Sequence, residues 1–312
     1  MMMQSRFALL CPGQGGQHPG MFDLARTNSQ AGILLEQWLS EGQLGQPLHA
    51  ILSDDELLFS NLMAQPLIVA ATLSTWEAIK SEIAAPALVA GYSIGELAAY
   101  GVAGAIASAD AVALASVRAQ LMDGCLKTTP SQGLVAVSGL PSGITSELLR
   151  SYEFHMAIET GDDSFIAGGP ANLLGEVEKT IAASGGRTSV LPVEIASHTP
   201  FMRPAVVPFA EELRRHRFID PRIPVLSGIS AEMIHQSEKA ILHLSRQIAE
   251  TIIWKDCMDA CAEAGVTVAL ELGPGAALSR MLHSRHPQIE CRSVADFRSL
   301  GGIKKWLDRN VN

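Results

Sequence analysis

The sequence predicts an α/β protein with a second, smaller α/β unit inserted into it. Hydrophobic residues make up 47% of the 312 residues, whereas aromatic residues make up only 5%. Ala, Gly, Leu and Val dominate, a composition that suits helices layered on a sheet better than an all-β sandwich. Short apolar runs also alternate with helical patterns along the chain, which is typical of strands joined by helices.

The N-terminal part of the predicted core begins with a short apolar strand that ends at the glycine-rich turn PGQGGQ. Its helices keep a 3.6-residue apolar period, and Pro66 lies near the start of the second helix. The predicted elements are a strand at 7–11, helices at 30–40 and 65–83, a strand at 86–91, and helices at 94–100 and 108–122.

A different rhythm follows a predicted linker at 124–132. Strands and helices alternate there in the order βαββαβ, which is the ferredoxin-like split unit. The predicted elements are 133–140, 143–151, 155–160, 163–169, 170–185 and 187–193. We therefore predict a ferredoxin-like subdomain over 128–193, inserted between core segments 1–127 and 194–312.

The core resumes after the insertion. The predicted elements are a helix at 203–216, a strand at 223–229, a helix at 239–265, a strand at 266–273, the turn GPG and a closing helix. The sequence has no internal repeat and no low-complexity tract.

Charge and hydropathy narrow the class of partner. The formal net charge is −9 and no long run of one sign occurs, which argues against binding to nucleic acid or a membrane surface. The five scattered cysteines predict reduced thiols, and Cys257 and Cys261 lack a nearby pair of ligands for a zinc site. No signal peptide is recognisable, and no apolar run approaches the ~20 residues that span a bilayer. We expect a cytoplasmic protein.

The motif Gly-Tyr-Ser-Ile-Gly at 91–95 is the first candidate for chemistry. It also describes the nucleophile elbow of α/β-hydrolases, where a serine is presented between a strand and a helix. The predicted context of Ser93 is this one, and the alternative is a purely structural turn. A serine hydroxyl is a weak nucleophile unless a base activates it.

Two groups of histidines compete as that base. In an α/β-hydrolase the histidine comes late in the chain, after an acid, and His283 and His286 fit this order with two aspartates upstream. Both lie among arginines, as on a solvated surface. His198, in ASHTPFM, follows a predicted strand and small residues, where a loop could aim it into a cleft. We favour His198.

Arg118 stands out on the otherwise apolar helix SADAVALASVRAQLM. One interpretation is a side chain that extends to solvent along the helix. The other is a planar guanidinium that binds a substrate carboxylate bidentately. The second would select acyl groups with a free acid at the far end. The loop PGQGGQ lacks the lysine of a P-loop, but its backbone N–H groups could stabilise an oxyanion.

Taken in order, these motifs resemble the malonyl-CoA:acyl carrier protein transacylases. The shared features are PGQGGQ, GYSIGE, an arginine about 25 residues later, the inserted βαββαβ unit, SHTPFM and a late ELGPG. The resemblance covers almost the whole chain. It implies an α/β-hydrolase-like core with a parallel sheet and a ferredoxin-like subdomain between nucleophile and histidine.

The resemblance also implies roles for particular residues. Ser93 matches the family's nucleophile, His198 its base and Arg118 its carboxylate-binding residue. The oxyanion hole of such enzymes uses backbone N–H groups, which here are those of Gln14 and Ile94. In this family a backbone carbonyl, rather than an acid, steadies the histidine, and the segment QIAETIIW matches the stretch that supplies it.

Three positions depart from the family pattern. Ile253, in QIAETIIW, stands where a polar residue is common. Tyr92 replaces the usual histidine before the serine, and GYS-[IV]-GE resembles the epsilon subunit of malonate decarboxylase. Ser197 stands where many malonyl-selective relatives carry Phe, so we expect some use of methylmalonyl groups.

The resemblance implies a ping-pong reaction that moves malonyl from malonyl-CoA to Ser93 and then to the thiol of an acyl carrier protein. It implies no metal and no cofactor on this chain. The favoured acceptor is the carrier subunit of malonate decarboxylase, with its dephospho-CoA-type arm. The alternative is the phosphopantetheine-bearing carrier of fatty-acid or polyketide synthesis.

Two other classes of function remain open, and so does the position of the surface that would bind a carrier protein. The chain could be a serine hydrolase or thioesterase that uses a late histidine, or an inactive scaffold that binds carrier protein. Because the chain and typical carrier proteins are both acidic, docking requires a local basic patch. The candidate arginines are Arg214, Arg215 and Arg217, or Arg280, Arg285 and Arg292.

Overall fold

The structure, a computed structural model, describes residues 6–127 and 131–311. Residues 128–130 of the predicted linker lie outside the described residues. Within these, ten strands form two sheets: β1 Arg6–Cys11, β2 Leu88–Gly91, β3 Gln132–Ser138, β4 His155–Glu159, β5 Ser164–Pro170, β6 Arg187–Leu191, β7 Val225–Leu226, β8 Met233–Ile234, β9 Val266–Glu271 and β10 Glu290–Ser293.

Helices surround both sheets. In the described chain they are α1 Asp23–Arg26, α2 Ser29–Trp38, α3 Glu41–Leu44, α4 Leu48–Leu52, α5 Asp55–Phe59, α6 Asn61–Ile79, α7 Gly95–Val102, α8 Ser108–Cys125, α9 Ser142–Arg150, α10 Leu174–Ala183, α11 Arg203–Arg215, α12 Ser237–Gln247, α13 Trp254–Glu263, α14 Ala277–Arg285 and α15 Leu300–Asn310.

The larger sheet has the order β10-β9-β1-β2-β7-β8. Every neighbouring pair is parallel except β7 and β8. Leu9 and Cys11 of β1 pack into one hydrophobic cluster and Ala8 and Leu10 into another, so helices cover both faces, as parallel sheets require. The carboxyl ends of parallel strands lie at one edge of the sheet, where ligand sites form. The loops after β1, β2 and β9 therefore meet at this edge.

The smaller sheet has the order β4-β5-β3-β6, and every neighbouring pair is antiparallel. Because α9 follows β3 and α10 follows β5, this is the βαββαβ arrangement of a ferredoxin-like unit. The predicted fold class, a parallel α/β core with an inserted ferredoxin-like unit, is confirmed.

The structure corrects the helix predicted at 65–83. Helix α6 begins at Asn61, and the hydroxyl of Ser60 caps it by accepting a hydrogen bond from the backbone N–H of Met63. Pro66 lies inside the helix rather than at its start.

The sequence predicted no segment long enough to span a bilayer, but α6 is long and apolar enough to meet a length-and-composition test for a membrane span. However, 83% of its most apolar window is buried inside the protein, as in a core helix.

The C-terminal third also differs from the prediction. The single helix expected over 239–265 is two helices, α12 and α13, because the backbone between them bonds elsewhere. The N–H of Ile252 donates to the carbonyl of Ala157 over 2.9 Å, and its own carbonyl accepts from Glu159 over 2.8 Å. These bonds join the core to β4 of the inserted unit. The closing helix is likewise two helices, α14 and α15, with β10 between them.

Candidate active site

Ser93 lies on a sharp turn between β2 and α7, with a backbone φ of 55°. Two neighbouring glycines make the turn possible. A Cβ atom on Gly91 would lie 2.3 Å from the Cα of Glu96, and one on Gly95 would lie 2.1 Å from the carbonyl oxygen of Cys11. The motif therefore has glycines where no side chain fits, as the elbow interpretation requires.

The hydroxyl of Ser93 contacts an imidazole from the second segment of the core, which follows the inserted unit. The distance between Ser93 Oγ and His198 Nε2 is 2.7 Å, across 105 positions of sequence. His198 has a positive φ of 61° and is 1% exposed. Its backbone N–H donates to the carbonyl of Ile248 over 2.9 Å, which fixes the strained turn.

The second ring nitrogen of His198 determines its tautomer. Nδ1 lies 2.6 Å from the carbonyl oxygen of Gln247, an acceptor only, so Nδ1 carries the proton and donates it there. Burial, followed by the charge of Arg118, lowers the pKa of His198 to about 3, against the opposing effect of the Gln247 carbonyl. The ring is therefore neutral near pH 7, and its Nε2 lone pair can accept the Ser93 proton.

The supporting carbonyl belongs to Gln247, the first residue of QIAETIIW. Ile253 is six positions further on, and its N–H donates to the carbonyl of Gly228 over 2.8 Å. The apolar side chain at position 253 thus leaves the support of the histidine intact.

The glycine-rich loop after β1 runs beside the elbow. A Cβ atom on Gly13 would lie 3.5 Å from the Cβ of Ser93, so the loop backbone passes close to the hydroxyl. In the described part of the chain, the backbone N–H groups of Gln14 and Ile94 have no hydrogen-bond acceptor. The side chain of Gln14 is held by Asn61, whose Oδ1 accepts from Nε2 over 3.1 Å. Two backbone donors are therefore free near Ser93.

Arg118 of α8 is 2% exposed, which excludes the interpretation that it extends to solvent. Its Nη1 donates to Oε1 of Gln65 over 2.7 Å, and its Nη2 donates to Oε1 of Gln247 over 3.3 Å. Burial lowers the pKa of Arg118 to about 10, while the nearby carboxyl of Glu96 raises it, so the guanidinium stays charged near pH 7. A buried cation held only by amide oxygens can bind an anion.

A cavity of about 530 Å³ reaches this site between the core and the inserted unit. His198 and Ile253 line it from the core, and Arg150 and His155 from the inserted unit. The cavity therefore opens onto the imidazole that contacts Ser93.

The competing histidines bond elsewhere. Nδ1 of His283 lies 3.0 Å from the carbonyl oxygen of Ile289, and Nε2 of His286 lies 2.8 Å from Asp259. The same Asp259 receives two hydrogen bonds from Arg285. His198, and not this pair, is the partner of Ser93.

Four of the six arginines predicted to dock a carrier protein form ion pairs with acids. Arg214 pairs with Glu238, Arg215 with Glu212, Arg285 with Asp259 and Arg292 with Asp296.

Sequence reasoning missed four residues of the site. Asn61 joins Gln14 to Gln65 through its Oδ1, at 3.1 and 2.7 Å. Gln247 joins His198, Arg118 and Glu96. Glu96 was visible in the motif GYSIGE, but Asn61, Gln65 and Gln247 are single amides without a local signal.

The fold brings a serine hydroxyl and a neutral imidazole into contact, an arrangement that acyl transfer can use. The "Acyl transferase domain" family matches residues 8–310, so the chain belongs to this family and is an acyltransferase.

Individual relatives match over the full length. A malonyl CoA-acyl carrier protein transacylase of Mycobacterium tuberculosis is 30% identical over 302 residues, which cover 95% of this chain and 99% of that protein. The crystal structure of a malonyl-CoA:acyl carrier protein transacylase from Xanthomonas oryzae is similar with a TM-score of 0.90, at 26% identity over 100% of both chains. A malonyl-transacylase solved with a type II polyketide synthase acyl carrier protein has a TM-score of 0.88, at 25% identity over 96% of this chain and 99% of that one.

Proposed function

We propose that this chain transfers malonyl groups from malonyl-CoA to an acyl carrier protein through a malonyl ester of Ser93. The observation that carries the proposal is the 2.7 Å contact between Ser93 Oγ and the neutral, oriented imidazole of His198, beside the buried cation Arg118. The relatives named above act on malonyl-CoA and acyl carrier protein, which supports the same substrates here.

The proposed order of proton transfers follows from the neutral state of His198. Nε2 of His198 takes the proton of Ser93 as Oγ attacks the thioester carbonyl. The free N–H groups of Gln14 and Ile94 bind the oxyanion, where each such donor contributes about 3 kcal/mol. The imidazolium then gives its proton to the leaving thiolate of CoA. In the second half, His198 deprotonates the carrier thiol, which attacks the malonyl ester and releases Ser93.

Arg118 gives the selectivity for a dicarboxylic acyl group. Its guanidinium presents a planar pair of N–H donors that matches a carboxylate. Because the residue is 2% exposed, the contact forms away from water, where it is strong. Because Ser197, next to His198, is smaller than the Phe of many malonyl-selective relatives, we still expect some use of methylmalonyl groups.

The acceptor we favour is the phosphopantetheine-bearing carrier of fatty-acid or polyketide synthesis. The relatives described above are transacylases of acyl carrier proteins, one of them in complex with a carrier of type II polyketide synthesis, whereas the malonate decarboxylase assignment rests on the motif GYS-[IV]-GE with Tyr92. The ring of Tyr92 packs edge-on against Trp254, with centroids 5.2 Å apart, which accounts for an aromatic residue there without reference to the acceptor. The decarboxylase carrier remains the second candidate.

Mass spectrometry tests the nucleophile. After incubation with malonyl-CoA, the intact protein should gain one malonyl group, mapped to the peptide that contains Ser93. Ser93→Ala should not be labelled, while His283→Ala should be labelled as the wild type is. A label on another residue, or labelled Ser93→Ala, overturns the proposal.

Parallel kinetics identify the acceptor. Malonyl-enzyme is mixed with a fatty-acid-type carrier and with a decarboxylase-type carrier, and the two transfer rates are compared. We expect the phosphopantetheine carrier to be faster. The opposite order would favour the decarboxylase branch.

A further inference from the structure

The side chain of Gln247 connects three parts of the site. It is 1% exposed. Its Oε1 accepts from Arg118, and its Nε2 donates to Oε2 of Glu96 over 2.6 Å and to the carbonyl of Ser93 over 3.2 Å. Its backbone carbonyl holds His198. The oriented amide thus lies between a buried cation and a buried carboxyl.

Glu96 is fully buried, and only one of its oxygens is bonded within the described structure. Oε2 accepts from the N–H of Gly228 over 2.9 Å and from Gln247, whereas Oε1 has no partner. Burial raises the pKa of Glu96 to about 7, although its two hydrogen bonds and the charge of Arg118 oppose the shift. The other titratable groups that interact with this carboxyl are Tyr100 and Cys257, both neutral near pH 7 because burial raises their pKa values.

We propose that Glu96 and Gln247 are positioning residues that set the preference of Arg118 for carboxylate-bearing acyl groups, and that Glu96 takes up a proton when such a group binds. This inference rests on the proposed function. The amide of Gln247 holds the guanidinium by one hydrogen bond and the Glu96 carboxyl by another, and the two charged groups interact through space.

The charge balance of the buried site explains why Glu96 takes up a proton, rather than losing one, when a malonyl group binds. With Glu96 ionised, Arg118 is already neutralised, and a malonyl carboxylate adds an uncompensated negative charge. With Glu96 protonated, the malonyl carboxylate itself neutralises Arg118. A buried net charge is costly, so malonyl binding favours protonated Glu96. The acetyl group brings no charge and has no such linkage.

The experiment measures the rate of Ser93 acylation by malonyl-CoA and by acetyl-CoA from about pH 6 to about pH 8.5. In the wild type, kcat/KM for malonyl should fall as the pH rises through about 7, by roughly tenfold per unit that the pKa of Glu96 rises on binding. The acetyl profile should lack this step. In Glu96→Gln the step should vanish, because the amide oxygen of Gln can still accept both hydrogen bonds but cannot ionise.

Two further variants complete the test. Gln247→Met keeps the backbone carbonyl that holds His198 and should lower the malonyl-to-acetyl ratio of kcat/KM by about tenfold or more. Glu271→Gln removes another fully buried carboxyl, one that accepts from the N–H of Ser279 over 2.8 Å, and should keep the wild-type malonyl profile. Circular dichroism confirms that each variant is folded.

The outcomes separate the two proposals. A malonyl step that persists in Glu96→Gln, or equal losses of both acyl groups in Gln247→Met, overturns this inference and leaves the proposed function standing. A wild type that forms no malonyl ester on Ser93 overturns both.

Discussion

In the proposed mechanism, His198 acts as a base without an acidic partner. Because burial and the charge of Arg118 lower its pKa to about 3, the imidazole remains neutral well below its ordinary titration range. We therefore expect the rate of Ser93 acylation not to fall as the pH decreases through about 6.5, the unperturbed value. Quenched-flow measurement of the acyl-enzyme with acetyl-CoA, which brings no carboxylate to Arg118, checks this. A loss of rate with its midpoint near that value would contradict it.

Arg118 should control selectivity more than rate. In Arg118→Ala, kcat/KM for malonyl-CoA should fall by roughly 10- to 150-fold, since charge-assisted hydrogen bonds contribute about 1.5–3 kcal/mol. Acetyl-CoA, without a carboxylate, should lose much less. Arg118→Lys, which keeps the charge but not the planar pair of donors, should be intermediate. Equal losses with both substrates would assign Arg118 a structural role.

The sequence allowed prediction of those site residues that stand out from their immediate neighbours in the chain. Ser93 lies between two glycines, a spacing typical of a tight turn, and Arg118 is a charged residue on an otherwise apolar helix. Asn61, Gln65 and Gln247 could not be predicted, because each is one amide among many and its partner lies far away in sequence. Gln247 and Arg118, for example, are 129 positions apart.

The elbow between β2 and α7 depends on the absence of a side chain at Gly95. In Gly95→Ala the new Cβ would lie 2.1 Å from the carbonyl oxygen of Cys11, so β1 or the elbow must move. We expect a loss of at least about 1–3 kcal/mol in the free energy of unfolding, the usual cost of overpacking. Urea denaturation followed by circular dichroism measures it.

A matched glycine on α8 provides the control. A Cβ on Gly124 meets no atom within 4 Å. Gly124→Ala should therefore stabilise the protein, by up to about 1 kcal/mol through helix propensity. A Gly95→Ala variant as stable as Gly124→Ala would contradict the tight packing of the elbow.

The break between α12 and α13 was not predictable from periodicity. Apolar residues continue at helical spacing through 248–253, and no Pro or Gly interrupts them. The helix ends because tertiary bonds replace its own: Ile248 accepts from the backbone of His198, and Ile252 pairs with β4. Only the β-branched run Thr251-Ile252-Ile253 disfavours a helix locally.

At the scale of the whole molecule, the cavity between the core and the inserted unit, called the groove below, has two arginines beside it, Arg150 and Arg203. Desolvation, then the positive charge of Arg203, lowers the pKa of His155, which lines the groove; the charge of Glu153 opposes this shift and that of Arg150 adds to it. Within the described residues, neither arginine belongs to an ion pair. Glu153 lies near enough to oppose them at His155, and Glu250, which pairs with Arg246, also lines the groove. Arg150 and Arg203 are therefore the groups here that can bind an acidic carrier protein.

Charge reversal tests this docking site. In Arg150→Glu, transfer from malonyl-enzyme to carrier protein should slow by about tenfold at low salt, and the wild-type rate should fall as salt is added. Arg309→Glu, an exposed position on α15, should transfer at the wild-type rate. Similar losses in both variants, or no response to salt, would contradict docking at the groove.

The backbone bonds of Ile252 join the inserted unit to the segment that also supports His198. The amide hydrogens of Ile252 and Glu159 can exchange with deuterium only when the two units separate, so slow exchange at both would measure how seldom that happens. Separation would also pull on the carbonyl of Gln247 and leave the imidazole without its orientation. Slow exchange would therefore mean that the groove keeps its width, and that the carrier's arm must fit it by its own length and flexibility.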